Sequence, residues 1–326
     1  MRNGLFKIAV VAASALLALI AVEQGLRFID WQYRPLSVEV RDIEDARGFH
    51  LFKDDHFVYD PRLIWRPKPG FGVFNSQGLR GPELSTRRLP GELRIVTIGD
   101  SNTLGWAGED GANWPRDLDR RLRETGRPAT VANAGVWGYS SAQGLARLEE
   151  VLRYSPQLVL ISFGANDAHP VSRSDREFAE SSHFMRGLTR WLTHFRVGQL
   201  VAAVFANGSS DQIVTARVPL EKYRENLERM VAMAREGGSE PILLTRPFVG
   251  PVDSVHKWKY SAFDYNAATI EIAARENVLV VDLYSSFKGR DELFSDESHF
   301  TDEGHRLAGG IVADHLAPLL NDLTRE

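Results

Sequence analysis

Five short apolar runs, rich in β-branched residues, recur along the second two thirds of the chain. They lie at residues 94–99, 129–135, 158–164, 241–247 and 278–284. Short, almost continuously apolar runs are typical of strands that are covered on both faces. Stretches with the apolar spacing of an α-helix lie among and after them, at residues 145–152, 220–234 and 307–323, the last with Thr301 as a candidate N-cap. Strands that alternate with helices predict an α/β fold: a three-layer α/β/α domain around a parallel sheet of about five strands.

The N-terminal segment is apolar on every face. Residues 8–22 read IAVVAASALLALIAV, and the basic residues Arg2 and Lys7 precede them. Counted from Leu5, the stretch makes a helix of roughly 27 Å, which is short for a membrane span and long for the core of a signal peptide. We therefore expect residues 1–25 to be an uncleaved membrane anchor, inserted through residues 5–22, with its basic end in the cytoplasm and the rest of the protein in the periplasm. The alternative is a protein secreted after cleavage of a signal peptide.

Residues 26–92 differ from the regular pattern that follows. They are rich in Pro, Gly and aromatic residues and have no helical period, which predicts an irregular N-terminal extension packed on a main domain at 93–326. Within the extension, the turn-rich piece 75–83 (NSQGLRGPE) is expected to be a structural wrap, with packing near a functional site as the alternative. In the main domain, the amphipathic segment 184–205 is expected to be an ordinary surface helix, with a lid as the alternative.

Composition and charge narrow the function classes. The 326 residues carry a net charge of −4, which gives no indication of nucleic acid or of electrostatic attraction to an anionic membrane. Because the chain has no cysteine, disulfides, thiolate zinc sites and cysteine nucleophiles are excluded. The nine histidines are scattered, and no phosphate-binding glycine motif follows the first strand. We therefore expect no metal, no cofactor and no nucleic-acid partner.

The first predicted strand runs into VTIGDSNTLG, residues 96–105, and so ends beside Ser101. The stretch is either a turn or a nucleophile at the edge where parallel sheets carry their sites. A serine nucleophile needs a base, and Asp296-Glu297-Ser298-His299 precedes the last helix. A spacing of three can bring the Asp296 carboxylate to Nδ1 of His299, which leaves Nε2 free for a serine. His305 is a competing base, but it lies inside the predicted helix and is expected on the protein surface.

Two more strand ends carry groups that suit an oxyanion hole. Gly135 follows the second strand and offers a backbone N–H, and Asn166 follows the third strand and offers a side-chain NH₂. Four further residues near these strand ends are candidate pocket residues, each with an equally simple role in a turn, the core or the surface. They are Asn102, Trp106, Trp137 and His169.

In order, the segments 99–103, 133–135, 164–167 and 296–299 resemble the four blocks of the SGNH (GDSL-type) hydrolases, and the resemblance covers about residues 93–324. It implies a flavodoxin-like sheet with Ser101 as nucleophile, His299 as base and Asp296 as the residue that orients the base. It also implies an oxyanion hole formed by the N–H groups of Ser101 and Gly135 and the side chain of Asn166. Asn102 departs from the pattern, because the family usually has an apolar residue there. The extension and the N-terminal anchor also resemble exported bacterial members of the family.

The expected function is that of a serine esterase acting through an acyl-enzyme on Ser101. Its substrate would be a small-molecule, lipid or carbohydrate ester, such as an O-acetyl group on a cell-envelope carbohydrate. The first alternative is an O-acyltransferase that modifies an envelope polysaccharide, because it would use the same three residues with another acceptor. The second is a non-catalytic carbohydrate-binding protein on the same fold.

Overall fold

The computed structural model describes residues 2–31, 56–60, 62–105, 111–126, 129–171, 174–176, 195–207, 215–249 and 262–323. The chain divides into two compact units, the first made of Met1–Ile43 and Glu180–Val214 and the second of Glu44–Ala179 and Thr215–Glu326. The domain boundaries expected at residues 25 and 92 stay predictions.

The described helices and strands alternate through the second unit. The helices are α1 Arg2–Phe28, α2 Ser101–Leu104, α3 Trp114–Glu124, α4 Ser141–Leu152, α5 Arg196–Asn207, α6 Leu220–Glu236, α7 Ala262–Arg275, α8 Leu283–Phe287 and α9 Asp302–Leu323. The strands are β1 Phe57–Asp60, β2 Ile64–Pro67, β3 Leu93–Gly99, β4 Ala129–Asn133, β5 Leu158–Ser162, β6 Pro170–Val171, β7 Thr215–Ala216, β8 Glu240–Leu244 and β9 Leu279–Val281. A 3₁₀ turn, Asp291–Leu293, precedes α9.

A five-stranded sheet forms the centre of the second unit. Its strand order is β4-β3-β5-β8-β9, and every neighbouring pair is parallel. Ile95 lies opposite Val131 on one side and Leu158 on the other, so the strands end together at one edge. The predicted α/β fold with a parallel sheet of five strands and an N-terminal apolar helix is confirmed.

Helices cover both faces of this sheet. On one face α3 and α9 pack against each other over a core that includes Ile95, Leu160 and Val312. On the other face lie α4, α6 and α7, side by side. The sequence pattern did not indicate α3 and α7. In α3 the buried residues are Trp114, Pro115, Leu118 and Leu122, and the others are mostly charged, so the apolar stripe is narrow.

The extension is partly regular where the structure describes it. Strands β1 and β2 form an antiparallel hairpin, and the buried Trp65 donates its indole N–H to the carbonyl of Trp137 at 3.1 Å. The piece 75–83 packs beside the end of β4, because the backbone of Arg80 exchanges both hydrogen bonds with Asn133. The Arg80 guanidinium also donates to the carbonyl of Leu104 at 2.6 Å. This piece therefore supports α2 from outside the sheet.

The first unit contains α1 and α5. Residues Phe6–Phe28 of α1 are long and apolar enough to cross a membrane, by length and composition. Near the end of α1, Glu23 accepts hydrogen bonds from the backbone N–H of Val197 at 2.9 Å and from Arg27 at 2.7 Å. Of the segment expected to be a helix at 184–205, residues 184–194 lie outside the described residues, and the question of a lid stays open as a prediction.

Candidate active site

The turn after β3 is built to present Ser101. Asp100 has an extended backbone and caps α2, with its Oδ1 accepting the N–H of Asn102 at 2.9 Å. The four-residue helix ends at Gly105, which has φ 81° and donates its N–H to the carbonyl of Ser101 at 2.9 Å. Ser101 is only 6% exposed. The stretch is thus a turn that holds the serine at the end of its strand.

Ser101, His299 and Asp296 form a continuous hydrogen-bonded chain. The Ser101 Oγ lies 2.8 Å from Nε2 of His299, and Nδ1 of His299 lies 2.7 Å from Oδ2 of Asp296. The other carboxylate oxygen of Asp296 accepts the backbone N–H groups of Ser298 at 2.9 Å and His299 at 2.8 Å. This arrangement can pass a proton from Ser101 to His299.

The charge of Asp296 is favoured by its surroundings. Burial opposes ionisation of this carboxyl, but the hydrogen bond and charge of His299 and the N–H groups of Ser298 and His299 outweigh burial. They hold the pKa of Asp296 well below its usual range. An ionised Asp296 favours the tautomer of His299 that carries its proton on Nδ1, and in this tautomer Nε2 can accept the serine proton.

The segment after β5 is held by Asp167. One carboxylate oxygen of Asp167 accepts the N–H of Ser141 at 2.9 Å, and the other accepts that of Gly164 at 3.1 Å. Burial raises the pKa of Asp167 to about 7, against the hydrogen bonds from Ser141. Next to it, the half-buried Asn166 donates its side-chain NH₂ to the carbonyl of Tyr139 at 3.0 Å. This bond uses one of the two protons of the amide and fixes its orientation.

The structure corrects the role expected for Gly135. Its N–H donates to the side chain of Asn133 at 2.9 Å and is therefore not free to bind an oxyanion. A Cβ at position 135 would lie 2.6 Å from the backbone nitrogen of Leu104, so glycine is needed there for close packing against α2.

The sequence did not indicate a second backbone N–H donor, that of Gly138, three residues after Gly135. The N–H of Gly138 has no acceptor among the described residues, and the same holds for the N–H of Ser101. Gly138 has φ 70° and precedes Tyr139, the residue that Asn166 contacts. Two glycines in one loop gave a sequence signal for a close backbone approach. Which of them has a free N–H depends on where the Asn133 side chain points.

The four candidate pocket residues differ in their burial and contacts. Asn102 is buried, and its Oδ1 accepts the backbone N–H of Phe300 at 3.2 Å. Trp137 is only 3% exposed and lies in the core rather than on a rim. The half-buried His169 donates its backbone N–H to the carbonyl of Asn166 at 3.2 Å, and its role in a pocket stays a prediction. Trp106 lies outside the described residues.

His305 is buried, and the expectation of a surface position was wrong. Its side chain has no exposure, and neither ring nitrogen has a hydrogen-bond partner within the described structure. The ring stands edge-on to Phe300, 5.4 Å between centroids. Burial, with the positive charges of Arg80, His299 and Arg246, lowers the pKa of His305 to about 3. His305 lies one turn into α9, on the same side of the helix as the buried Ala308 and Val312.

Acid is expected to destabilise the protein through His305. The unfolded chain binds a proton at His305 near pH 6.5, whereas the folded state does so only near pH 3, so stability is lost as pH falls from about 6.5. Between pH 7.5 and 5.0, wild type should lose about 2 kcal/mol more unfolding free energy than His305→Leu. Urea unfolding at both pH values measures this difference. His315→Leu, at an exposed position of α9, is the control and should retain the wild-type pH dependence. Equal losses in wild type and His305→Leu would refute the assignment.

Within the described part of the chain, no three His, Asp or Glu side chains lie close enough together to bind a metal ion.

Comparisons with known proteins agree with this geometry. The sequence model of the GDSL-like Lipase/Acylhydrolase family matches residues 97–307. An arylesterase of Vibrio mimicus is 28% identical over 127 residues, which are 39% of this chain and 56% of that protein. The Thioesterase 1/protease 1/lysophospholipase L1 of Escherichia coli K12 is 34% identical over 151 residues, 46% of this chain and 64% of that protein. The protein named Probable rhamnogalacturonan acetylesterase YesY, of Bacillus subtilis, is 29% identical over 126 residues, 32% of this chain and 55% of that protein. The chain thus spans between about half and two thirds of the length of these relatives.

Proposed function

Because the chain belongs to the GDSL-like lipase/acylhydrolase family, we propose that it is a serine esterase that works through an acyl-enzyme on Ser101. The observation that carries this proposal is the hydrogen-bonded chain from Ser101 through His299 to Asp296, with distances of 2.8 Å and 2.7 Å. These are the distances at which a base can take the proton of a nucleophile as it attacks.

The proposed reaction has two halves with balanced proton transfers. The Ser101 Oγ attacks the ester carbonyl while Nε2 of His299 takes the hydroxyl proton, and Asp296 stabilises the imidazolium that forms. The tetrahedral intermediate collapses, His299 gives its proton to the departing alcohol, and Ser101 carries the acyl group. Water then attacks this ester, again losing a proton to His299, and the acid leaves as Ser101 regains its proton. No other reactant is required.

The oxyanion of the tetrahedral intermediate needs donors that are not already occupied. We assign this role to the backbone N–H groups of Ser101 and Gly138, which have no acceptors among the described residues, and to the second amide proton of Asn166. The bond from Asn166 to Tyr139 supports this role, because it fixes the amide before substrate arrives. Gly135 is left with the packing role described above.

For the substrate we propose a short-chain acyl ester, with an O-acetyl group on a cell-envelope carbohydrate as the favoured case. One similar protein is named an acetylesterase, and the apolar helix α1 suits a protein that works at the cell envelope. For localisation we propose that α1 anchors the protein in the cell membrane, with the second unit in the periplasm. Secretion after cleavage of this segment is the competing proposal.

One experiment tests the activity and the fate of α1 together. The purified full-length protein is treated with a fluorophosphonate probe, and its intact mass and peptide masses are then measured. We expect one adduct, located on Ser101, on a chain that retains residues 1–25. A chain that starts after residue 25 would support secretion, and a folded protein that forms no adduct would refute the esterase.

A panel of esters then narrows the substrate. We expect p-nitrophenyl acetate and butyrate to be cleaved with higher kcat/KM than the dodecanoate and palmitate. We also expect release of acetate from an acetylated polysaccharide. A clear preference for the long chains would instead favour a lipid ester and contradict the proposed substrate class.

A further inference from the structure

Two connections join the loop that carries His299 to the turn that carries Ser101. One runs from Asp100 through Arg246 to the carbonyl of Ser298, and the other runs from Asn102 to the backbone N–H of Phe300. We propose that Arg246 and Asn102 are positioning residues that hold His299 in line with Ser101, an assignment that rests on the proposed function.

The first connection is a buried ion pair with an additional hydrogen bond. Arg246 follows the end of β8, and its Nε donates to Oδ2 of Asp100 at 2.9 Å. Its Nη1 donates to the carbonyl of Ser298 at 2.9 Å and to that of Pro247 at 2.8 Å. The side chains of Arg246 and Asp100 are 3% and 1% exposed, so water does not compete for the bond between them.

The backbone of Arg246 is itself held in place. Its N–H donates to the side chain of Asn266 at 2.7 Å, and its carbonyl accepts from the same amide at 2.9 Å. Asn266 is a buried residue of α7. The guanidinium therefore extends from a fixed point, and its planar fork can bind a carboxylate and a carbonyl at the same time, which a lysine ammonium does poorly.

The second connection explains the one residue that departs from the family pattern. Asn102 is 3% exposed, and its Oδ1 accepts the N–H of Phe300 at 3.2 Å. Its own N–H donates to Oδ1 of Asp100, so both connections share this aspartate. A leucine at position 102 would have no acceptor for the Phe300 N–H, which lies in the buried part of the site.

The two connections enclose both reacting residues. Ser101 lies between Asp100 and Asn102, and each of these neighbours is connected to a neighbour of His299. His299 precedes α9 in a short loop, and the described contacts of its ring are Ser101 and Asp296. Because a misplacement of about 1 Å can cost about 10²-fold in rate, backbone bonds on both sides of His299 bear directly on catalysis.

Three variants test the inference. Asn102→Leu removes one connection without changing charge. Arg246→Lys keeps the charge beside Asp100 but removes the fork. The double variant Asp100→Asn with Arg246→Met removes the connection without leaving a lone buried charge. The matched control is Glu92→Gln with Arg94→Met, because Arg94 is also a buried arginine in an ion pair, at the opposite end of β3.

Two readouts separate positioning from mere stability. The first is kcat and KM per folded molecule, with the folded fraction taken from circular dichroism melts. The second is the Nδ1–H resonance of His299 in protein labelled with ¹⁵N-histidine, which reports its bond to Asp296. We expect each test variant to lower kcat by about 10- to 100-fold with KM within about twofold of wild type, and to broaden or remove the resonance. The control should keep wild-type kcat and a sharp resonance.

Each outcome decides one of the two proposals. Test variants with wild-type kcat and a sharp resonance would overturn the positioning role, and so would a control variant that loses both as they do. The resonance needs no substrate, so it decides the inference even where wild type hydrolyses no ester. Absence of ester hydrolysis by wild type would overturn the proposed function instead.

Discussion

Replacing Ser101 with Ala is expected to lower kcat for ester hydrolysis by about 10⁴-fold or more and to abolish fluorophosphonate labelling. The variant loses the atom that is proposed to form the acyl-enzyme, while His299 and Asp296 keep their bond to each other. A water molecule in the place of the hydroxyl would be a poorer, unfixed nucleophile. The initial rate of p-nitrophenyl acetate hydrolysis at saturating substrate concentration measures this change in kcat.

The loss must be shown to come from the nucleophile and not from the fold. Ser286→Ala is a matched control, because Ser286 is exposed on α8 and its hydroxyl donates to the carbonyl of Asp282. This variant should keep the wild-type kcat and labelling. Ser101→Ala should melt within a few degrees of wild type, since it removes one side-chain hydrogen bond. If it retains a large share of the wild-type kcat, another residue is the nucleophile and the proposed mechanism is wrong.

Replacing Asp296 with Asn is expected to lower kcat by about 10³- to 10⁴-fold. Asn can still accept the backbone N–H groups of Ser298 and His299, so the loop should keep its shape. It cannot supply the negative charge that stabilises the imidazolium, and its NH₂ can turn toward Nδ1 and favour the wrong tautomer. KM should change little, because Asp296 acts through His299 and not on the substrate.

The neighbouring Glu297 supplies the control for charge. Glu297→Gln removes one negative charge next to Asp296 in the sequence, from an exposed side chain. We expect its kcat to stay within about twofold of wild type, because solvent screens this charge. A similar fall in both variants would mean that the local field, and not the bond of Asp296 to His299, accounts for the loss.

The sequence predicted the alternation of strands and helices because this alternation depends on local patterns of apolar residues. Apolar runs at β3, β5 and β8 are buried on both faces, and such runs have few alternatives to a parallel sheet. Parallel strands all end at one edge, so the sequence alone was enough to place Ser101 and Asn166 at that edge. The pairing of Asp296 with His299 was also local, since three residues in one turn bring carboxylate and ring together.

Other features depended on contacts between residues far apart in the chain. The loop 133–139 contains two glycines, and only the direction of the Asn133 side chain decides that Gly135 lacks a free N–H. His305 was expected on the surface because it lies inside the last helix, offset from Asp296. Its burial depends on the packing of α9. The spacing of apolar residues does not determine which neighbouring positions of the helix are buried.

By itself, then, the sequence determined the layer architecture and the edge of the sheet that carries the candidate site, and it indicated Ser101, Asp296 and His299 as candidate residues. These follow from periodicity and short-range spacing, which are properties of consecutive residues. Only the tertiary structure gave grounds for the roles that we propose for Asn102, Arg246 and Gly138. Their roles depend on which group lies opposite a given N–H or carbonyl, and for Asn102 that group is 198 residues away along the chain.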